Sequence, residues 1–542
     1  MTQTLFHYLK TLDTHALERL AGTTIVRAVQ SAFDTNRESE LARLVSERYS
    51  FSALENAELR SIILESLPRG DSERFCSKLN ISFTPQQIPQ SKLIDYFSGP
   101  YTEQKSKSLV SVLELSDNYI KKVILDERRA TEYLSGVGRG ELLSSRGFLH
   151  DFQSVIKDRV VNEIGRSNQR MMVQMPTGSG KTATALEIVV DLFRMPNQRK
   201  YIVWLVDSAE LAEQAFDTFK QLWLQKGDRP LSAHRMFGSF SPDFLNIGGG
   251  FVAATFDKLR GPVNDSAHVN HSSVWKLLRN TDLLIVDEAH TSVAETYELV
   301  IRKFLTANDP TLIGLTATPA RNNIEATGQL AMLYSGKLIS IEDGNGHAIS
   351  DGIGYLQKQG YLALLDLKEL ESGVNCEDQE AGAICRKLAE NSSRNEIIVK
   401  QIELGVSAAE PTLVFSCTKD HVFALMALCR SRSINAEFIV GDTPAAERIR
   451  ILNEFRRGEI NVLINHEILA TGVDLPNVRR LIVTRPVGSS ILFSQILGRA
   501  LRGPRNGGQY KNTVISIRDN LRVFGSANSV FQKFASDFIF AT

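Results

Sequence analysis

The chain has 542 residues, of which 43% are hydrophobic and 23% charged, and its 62 basic residues balance its 62 acidic residues. This length predicts several domains, and no apolar run approaches the roughly 18 residues that a bilayer-spanning helix needs, which argues against a membrane protein. Because the net charge is zero, bulk charge does not indicate a nucleic-acid partner, and any basic track has to be local.

The N-terminus and the cysteines predict a cytoplasmic protein. The opening stretch MTQTLFHYLKTLDTHALERL lacks the charged, apolar and small-residue regions of a signal peptide. The five cysteines are scattered, without a C-x-x-C pair. This pattern fits reduced thiols better than disulfides or a zinc site.

Residues 1–145 are predicted to form a mostly α-helical domain. Apolar residues recur at helical spacing, as at Leu17, Leu20 and Val29. The glycine-rich stretch SGVGRGELLSSRG, residues 135–147, is predicted to link this domain to the next. Packing is the default role of these helices, and the alternatives are recruitment of a nuclease or another protein partner, binding of nucleic acid, or restraint of the rest of the chain.

From Phe148 onward, short apolar segments alternate with helical ones, which predicts parallel sheets covered by helices on both faces. We expect an α/β fold with tandem domains at residues 146–335 and 393–542, joined by a connecting region at 336–392. The predicted strands are YIVWLV (201–206), FVAATF (251–256), LLIVDEAH (283–290), LIGLTATP (312–319), TLVFS (412–416), AEFIVG (436–441), NVLIN (461–465), RLIVTRP (480–486) and NTVISIRD (512–519).

The stretch MMVQMPTGSGKT, residues 171–182, predicts a strand, a tight glycine-rich loop and a helix. Backbone N–H groups in such a loop, together with the helix dipole, favour phosphate. Lys181 is expected to meet the β- and γ-phosphates, and the Thr182 hydroxyl to ligate Mg²⁺. Met175 departs from the P-loop formula, which has glycine there. The predicted phosphate-binding residues are Thr177, Gly178, Ser179, Gly180, Lys181 and Thr182.

Two carboxylates lie at the C-terminal end of the predicted strand at 283–290. Ligands of open α/β sheets lie at the carboxyl ends of strands. Asp287 is therefore a candidate ligand for Mg²⁺, and Glu288 a candidate to polarise the attacking water. The hydroxyls of Thr316 and Thr318, at the end of another strand, are candidates to bond this acidic motif.

Further polar side chains are candidates for the nucleotide. Gln153 precedes the loop by about one helix, and its amide either reads the edge of adenine or remains a solvated helical group. Gln495, Arg499 and Arg502 are predicted to share one helical face at positions i, i+4 and i+7. Two guanidinium groups on one face suit a γ-phosphate presented by another domain, whereas a solvated basic face is the alternative.

Five motifs together resemble the DEAH-type superfamily 2 helicases over about residues 147–519. FIVGDTPAAERIRILNEFRRGEINVLIN (438–465) and QILGRALRG (495–503) resemble the bacterial group of RadD-like repair helicases and restriction-enzyme motor subunits. The resemblance implies two RecA-like lobes with ATP and Mg²⁺ between them. The motifs are QMPTGSGKT (174–182), DEAH (287–290), TATP (316–319), TGVD (471–474) and QxxGRxxR (495–502).

The resemblance also implies roles for individual residues. Lys181 and Glu288 keep the catalytic roles given above, and Arg502 is the first candidate for an arginine finger. Nucleotide binding or its coupling to the strand track is implied for Gln153, Gly472, Asp474 and Arg499. Nucleic-acid contacts, made by hydroxyl and backbone groups that do not read bases, are implied for Ser208, Thr255, Ser416 and Thr471.

Three functions agree with these features. The favoured one is an ATP-dependent DNA translocase or helicase in DNA repair or anti-phage defence. An RNA-dependent ATPase stays open because backbone contacts dominate, and so does a nucleic-acid-sensing ATPase switch that recruits partners through residues 1–145. Since only about 20 residues separate Asp474 from Gln495, no insertion is apparent that would split a duplex.

Overall fold

The computed structural model describes residues 5–116, 119, 129–136, 149–164, 170–195, 200–292, 294–317, 324–343, 347–349, 351–376, 380–469, 475, 477–487 and 490–521. They form a helical N-terminal domain and two α/β lobes, as the fold class predicted. Among the described helices, none combines the length and the apolar character that crossing a bilayer requires.

The helical domain begins with short, capped helices. The Asp13 side chain accepts a hydrogen bond from the Ala16 N–H at 2.7 Å, and Asn56 accepts one from the Leu59 N–H at 2.9 Å, which satisfies amides that a helix start leaves unpaired. The helices are α1 (Leu5–Leu9), α2 (Thr14–Ala21), α3 (Thr23–Ala32), α4 (Arg37–Tyr49), α5 (Ala57–Glu65), α6 (Arg69–Lys78), α7 (Pro89–Ser98) and α8 (Glu103–Val112).

The first lobe is built on an eight-stranded sheet. Its elements are β1 (Thr131–Leu134), α9 (Asp151–Ile164), β2 (Arg170–Gln174), α10 (Lys181–Arg194), β3 (Tyr201–Val206), α11 (Ala209–Lys226), β4 (Leu231–Met236), β5 (Gly250–Thr255), α12 (Phe256–Asn264), α13 (His271–Arg279), β6 (Thr281–Val286), α14 (Glu295–Asn308), β7 (Thr311–Thr316), α15 (Ile324–Leu333) and β8 (Leu338–Ile339). The strand order is β1-β4-β5-β3-β6-β7-β2-β8. Only β1 runs antiparallel to its neighbour.

The second lobe has a six-stranded parallel sheet with the order β11-β12-β10-β13-β14-β9. A short helix, α16 (Gly352–Lys358), precedes it in the chain. Its elements are β9 (Leu364–Cys376), α17 (Ala381–Ala389), α18 (Ser392–Ser407), β10 (Thr412–Phe415), α19 (Lys419–Ser431), β11 (Ala436–Ile439), α20 (Ala445–Arg457), β12 (Val462–Asn465), β13 (Arg480–Val483), α21 (Ser490–Leu497) and β14 (Lys511–Leu521).

Burial follows the expected pattern for parallel sheets. Every residue of β3, β5 and β7 is buried, because helices cover both faces of the sheet. Parallel pairing also brings the carboxyl ends of these strands to one edge. That edge carries the loops in which the sequence places the candidate site.

Some strands were not predicted from the sequence because their residues are polar. β1 lies within the segment expected to be helical, yet it joins the first sheet beside β4. β4 contains Arg235, whose side chain is 2% exposed and lies 2.6 Å from Glu132 and 2.8 Å from Glu213. These internal ion pairs let a charged residue occupy a buried strand. The region expected to connect the lobes contributes β8 to the first sheet and β9 to the second.

Candidate nucleotide-binding and hydrolysis site

The glycine-rich loop, residues 175–180, lies between β2 and α10. It is called the phosphate loop below, after the ligand predicted for it. Gly178 has a φ of 81° and Gly180 a φ of 85°, values that favour glycine. The buried Ser179 closes the turn, since its N–H and its hydroxyl donate to the Pro176 carbonyl oxygen at 3.1 and 2.6 Å. Lys181 is the first residue of α10 and Thr182 the second, so the loop leads directly into a helix N-terminus that favours an anion.

Gln153 on α9 supports this loop from behind. Its Nε2 atom donates to the Ser179 carbonyl oxygen at 2.7 Å, and its Oε1 atom accepts from the His150 N–H at 2.7 Å. The side chain is buried, and a Cβ atom added to Gly180 would lie 2.4 Å from Gln153 Nε2. Gln153 therefore holds the loop in shape, while its reading of adenine stays a prediction.

The acidic motif stands at the end of β6. The Asp287 N–H donates to the Leu205 carbonyl oxygen at 3.0 Å, and Asp287 Oδ1 accepts from the Glu288 N–H at 2.9 Å. Burial and then the Glu288 carboxylate raise the pKa of Asp287 to about 7, although Lys181 lowers it. A buried carboxyl whose ionised form is disfavoured is suited to a cation partner.

These features fit Mg²⁺. The described residues contain no group of three or more His, Cys, Asp or Glu side chains able to hold a metal ion. Protein sites for Mg²⁺ commonly supply one or two oxygen ligands and leave the rest to phosphates and water. The Asp287 carboxylate and the Thr182 hydroxyl are oxygen ligands of that kind, and their binding of Mg²⁺ stays a prediction.

Glu288 lies at the centre of a polar cluster. Its Oε1 atom is 3.7 Å from Lys181 Nζ, and its Oε2 atom is 3.4 Å from His290 Nδ1. Thr316 Oγ1 lies 3.4 Å from the same His290 nitrogen, so the predicted contact between the threonine motif and the acidic motif is formed by Thr316. Thr318 lies outside the described residues. Glu288 itself has a φ of 48°, a strained conformation of the kind that occurs at functional sites.

The second lobe reaches the phosphate loop through Arg502. Its Nη1 atom donates to the Gly178 carbonyl oxygen at 3.0 Å. A Cβ atom added to Gly178 would lie 3.4 Å from Leu501 Cβ and 3.6 Å from the Gly498 carbonyl oxygen. The two lobes therefore meet closely at this loop.

The prediction that Gln495, Arg499 and Arg502 share one helical face is wrong. Helix α21 ends at Leu497, and the Arg499 N–H closes a turn to the Ile496 carbonyl oxygen. Arg502 lies in an antiparallel bridge with Leu362. Pairing with that segment overrides the helical periodicity, but it still directs Arg502 to the first lobe.

A second contact between the lobes was not predicted from the sequence. His150 Nε2 lies 2.6 Å from Asn506 Oδ1, and the ring centroids of His150 and Tyr361 are 4.6 Å apart. Arg505 Nη1 donates to the Tyr361 hydroxyl at 2.8 Å. Arg505 and Asn506 follow QxxGRxxR by three and four residues, which is the signal that could have drawn attention to them.

Three of the residues implied to contact nucleic acid, Ser208, Thr255 and Ser416, lie at or just after the carboxyl ends of strands. Ser208 caps α11 by accepting from the Leu211 N–H at 3.3 Å, and Thr255 precedes α12. Ser416 follows β10, but its hydroxyl is buried and donates to the Thr418 and Asn465 carbonyl oxygens. The Ser416 N–H also donates to the Asn465 carbonyl oxygen, at 2.8 Å, so both donors of Ser416 are bonded within the lobe. The remaining predicted residues, Thr471, Gly472 and Asp474, lie outside the described residues.

Two family models match the chain in the order of its lobes. The type III restriction enzyme res subunit matches residues 148–321, and the helicase conserved C-terminal domain matches residues 393–504.

Individual proteins support the same assignment. The putative ATP-dependent helicase IRC3 of Saccharomyces cerevisiae is 27% identical over 376 residues, which are 65% of this chain and 49% of that protein. The DNA 3'-5' translocase XPB2 of Sulfurisphaera tokodaii is 26% identical over 365 residues, 62% of this chain and 75% of that protein. The DNA-bound structure of the DUF1998 helicase MrfA has the same fold, with a TM-score of 0.50 at 18% identity over 75% of this chain and 55% of that one.

This chain thus spans about half the length of the IRC3 protein that it matches. Both lobes are matched, and the phosphate loop and the acidic motif lie together in the first of them. The two lobes belong to these helicase domain families, in the superfamily 2 group that includes restriction-enzyme motor subunits.

Proposed function

We propose that this protein is an ATP-dependent DNA translocase or helicase that acts in DNA repair or in defence against foreign DNA. The observation that carries the proposal is the hydrogen bond from Arg502 of the second lobe to Gly178 of the phosphate loop. A hydrolysis site shared by two lobes makes their closure depend on the bound nucleotide. A translocating motor requires that dependence.

We assign the chemistry to side chains on both lobes. Lys181 and the α10 N-terminus bind the β- and γ-phosphates. Glu288, held between Lys181 and His290, orients the attacking water and accepts its proton. Arg502 stabilises the charge that develops on the transferred phosphoryl group, with Arg499 as its neighbour.

A bound Mg²⁺ would offset negative charge on the β- and γ-phosphates. Thr182 and Asp287 are the residues proposed to hold it, Thr182 through its hydroxyl and Asp287 through its carboxylate. Thr182 directly follows Lys181, and Asp287 directly precedes Glu288. The residues proposed to hold the ion and the proposed catalytic residues therefore lie in the same two segments of the chain.

The proposed nucleic-acid track follows the same sheet edges. The N-termini of α11 and α12 in the first lobe and of α19 in the second follow strand ends, and a helix N-terminus has backbone N–H groups without partners in the helix. Such groups bind phosphates without reading bases, and they explain how a chain with no net charge could follow a strand. DNA is preferred over RNA because relatives such as XPB2 are DNA translocases by name.

Residues 1–145 are proposed as the region that contacts a protein partner. The domain boundaries proposed for the motor are residues 146–335 for the first lobe and 393–542 for the second, with 336–392 between them. The strand β9 extends the second sheet into that connecting region.

The test is ATP hydrolysis measured with no polynucleotide, with single-stranded DNA, with duplex DNA and with RNA, followed by displacement of a triplex strand. The proposal expects stimulation by DNA and ATP-dependent displacement, both abolished in Glu288→Gln. Stimulation of ATP hydrolysis by RNA but not by DNA would establish an RNA-dependent ATPase instead. Hydrolysis stimulated by DNA without triplex displacement would establish a nucleic-acid-sensing switch.

A further inference from the structure

The helical domain packs on the second lobe through α3 and α4. One continuous apolar cluster contains Ile25 and Val29 from α3 together with Val422 and Met426 from α19. All four side chains are buried. The two units therefore share a core, which removes apolar surface from water across their boundary.

A partly buried ion cluster crosses the same boundary. Arg430 at the end of α19 donates through Nη1 to Glu40 Oε1 at 3.0 Å, and through Nη2 to both carboxylate oxygens of Glu47 at 2.6 and 2.7 Å. The Arg430 side chain is 17% exposed. Burial by itself lowers the pKa of Arg430, but the two glutamates outweigh it and the net pKa is raised.

In a second ion pair the helical domain supplies the cation and the second lobe supplies the anion. Arg48 of α4 lies 2.9 Å from Asp420 at the start of α19. The same guanidinium donates to the carbonyl oxygens of Leu20 and Ala21 at 2.9 and 2.6 Å, so it is held in the helical domain while it reaches the lobe.

A third pair lies on α3. Arg27 of α3 is 2.8 Å from Glu390, which precedes α18. Each unit thus supplies both cations and anions to the boundary. Paired charges of alternating sign define one orientation of the two surfaces.

The segment that follows the helical domain joins the first lobe through a β-strand. Beyond the helical domain, β1 pairs with β4 at the edge of the first sheet, and Arg235 of β4 bonds Glu132 of β1 at 2.6 Å. The strand belongs to the first lobe, whereas the helical domain that precedes it shares its core with the second.

We propose that residues 5–116 and the second lobe form a single rigid body, so that the helical domain travels with that lobe when the lobes close or open. The movement of the helical domain relative to the first lobe rests on the function proposed above. The rigid unit formed by the helical domain and the second lobe does not depend on that function. It follows that a partner held by the helical domain is moved against the first lobe in every ATP cycle.

Distances between pairs of spin labels test this in the full chain. Labels at the exposed positions Ser91, Lys400 and Gln225 report on the helical domain, the second lobe and the first lobe. Cys385, which is half-buried while the other four cysteines are buried, is replaced by serine in the background. Measurements are made without nucleotide and with a non-hydrolysable ATP analogue.

The proposal expects the distance between labels 91 and 400 to stay constant and narrow, while the distances from each of them to label 225 change together. A change in the 91–400 distance overturns the rigid unit. If the 400–225 distance does not respond to nucleotide, the proposed lobe closure fails. The rigid unit is then still judged by the 91–400 distance.

A variant tests the ion cluster itself. Arg430→Met leaves Glu40 and Glu47 without their partner and is expected to broaden the 91–400 distance distribution. Arg450→Met is the matched control, because Arg450 also binds two glutamates, Glu447 and Glu454, but within its own helix α20. It should leave the distribution unchanged.

If Arg430→Met does not fold, Asp420→Asn, which weakens the more exposed Arg48 pair, gives the same readout. A distribution that stays as narrow as the control's in the folded variant would overturn the proposed anchoring by these charges.

Discussion

Arg502 Nη1 donates a hydrogen bond to the Gly178 carbonyl oxygen at 3.0 Å, so a guanidinium of the second lobe lies against the phosphate loop of the first. Arginine carries five N–H donors in a rigid fork. The bond to the Gly178 carbonyl oxygen holds this fork beside the loop that is predicted to bind phosphate. The contact makes Arg502 both a link between the lobes and the first candidate for the arginine finger.

Replacement of Arg502 should slow turnover much more than it weakens nucleotide binding. Arginine fingers contribute about 10³-fold or more to phosphoryl transfer, and Lys cannot reproduce the planar fork. We expect Arg502→Ala and Arg502→Lys both to lower kcat by at least about a hundredfold, measured as steady-state ATP hydrolysis. Arg457→Ala on the exposed end of α20 is the control. A kcat near that of the control would remove Arg502 from the reaction.

Glu288→Gln should abolish hydrolysis while nucleotide binding persists. The amide keeps the shape of the side chain but cannot accept a proton, and general-base catalysis is worth about 10²- to 10⁴-fold. Binding is measured with a fluorescent ATP analogue and turnover by phosphate release. If the variant turned over at the full rate, another group would have to be the base.

Gln153 variants separate loop support from recognition of adenine. Because both ends of the amide are bonded to protein groups, Gln153→Ala should raise the KM for ATP and for GTP by the same factor. Each lost hydrogen bond costs on the order of 1 kcal/mol of loop stability. Gln153→Glu should be worse, since it sets a carboxylate against the Ser179 carbonyl oxygen. A loss confined to ATP would instead identify Gln153 as an adenine reader.

His234 on β4 should make the first lobe sensitive to acid. Burial lowers the pKa of His234 to about 4, although a hydrogen bond with the Gly249 carbonyl oxygen raises it. Between pH 6.5 and pH 4 the unfolded chain therefore binds a proton that the folded chain does not. Stability is unaffected above this window and falls as the pH drops through it.

The expected loss from His234 is about 2 kcal/mol between pH 8 and pH 5. It is measured by urea unfolding followed through a first-lobe probe. Relative to the unaltered chain, His234→Gln should remove this loss between pH 8 and pH 5 whatever it does to absolute stability, whereas His347→Gln, at an exposed position, should leave it in place. An unchanged slope in His234→Gln would show that the imidazole is not the group that titrates.

Local patterns in the sequence were sufficient where one segment makes its own structure. YIVWLV coincides with β3, since a buried parallel strand needs an apolar run and little else. The glycine-rich turn before α10 was equally clear, because the two positive φ values need glycine and the helix N-terminus follows immediately. Placing the acidic motif at the end of β6 required only the rule that strand ends carry ligands.

Predictions failed where a distant segment decides the local structure. The spacing of Arg499 and Arg502 suggested a continuous helix, but the pairing of Arg502 with Leu362 ends it. β4 was missed because its His234 and Arg235 look exposed. They are buried because the Thr131 hydroxyl, Glu132 and Glu213 bond them.

By itself, the sequence determined the motifs, the alternation of strands and helices and the presence of two lobes, because these depend on periodicity and on residues close together in the chain. Only the tertiary structure decided that Arg502 reaches Gly178 and that α3 packs on α19. An apolar or charged face in the sequence indicates that another surface packs against it. Which surface does so depends on shape and charge that residues hundreds of positions away supply.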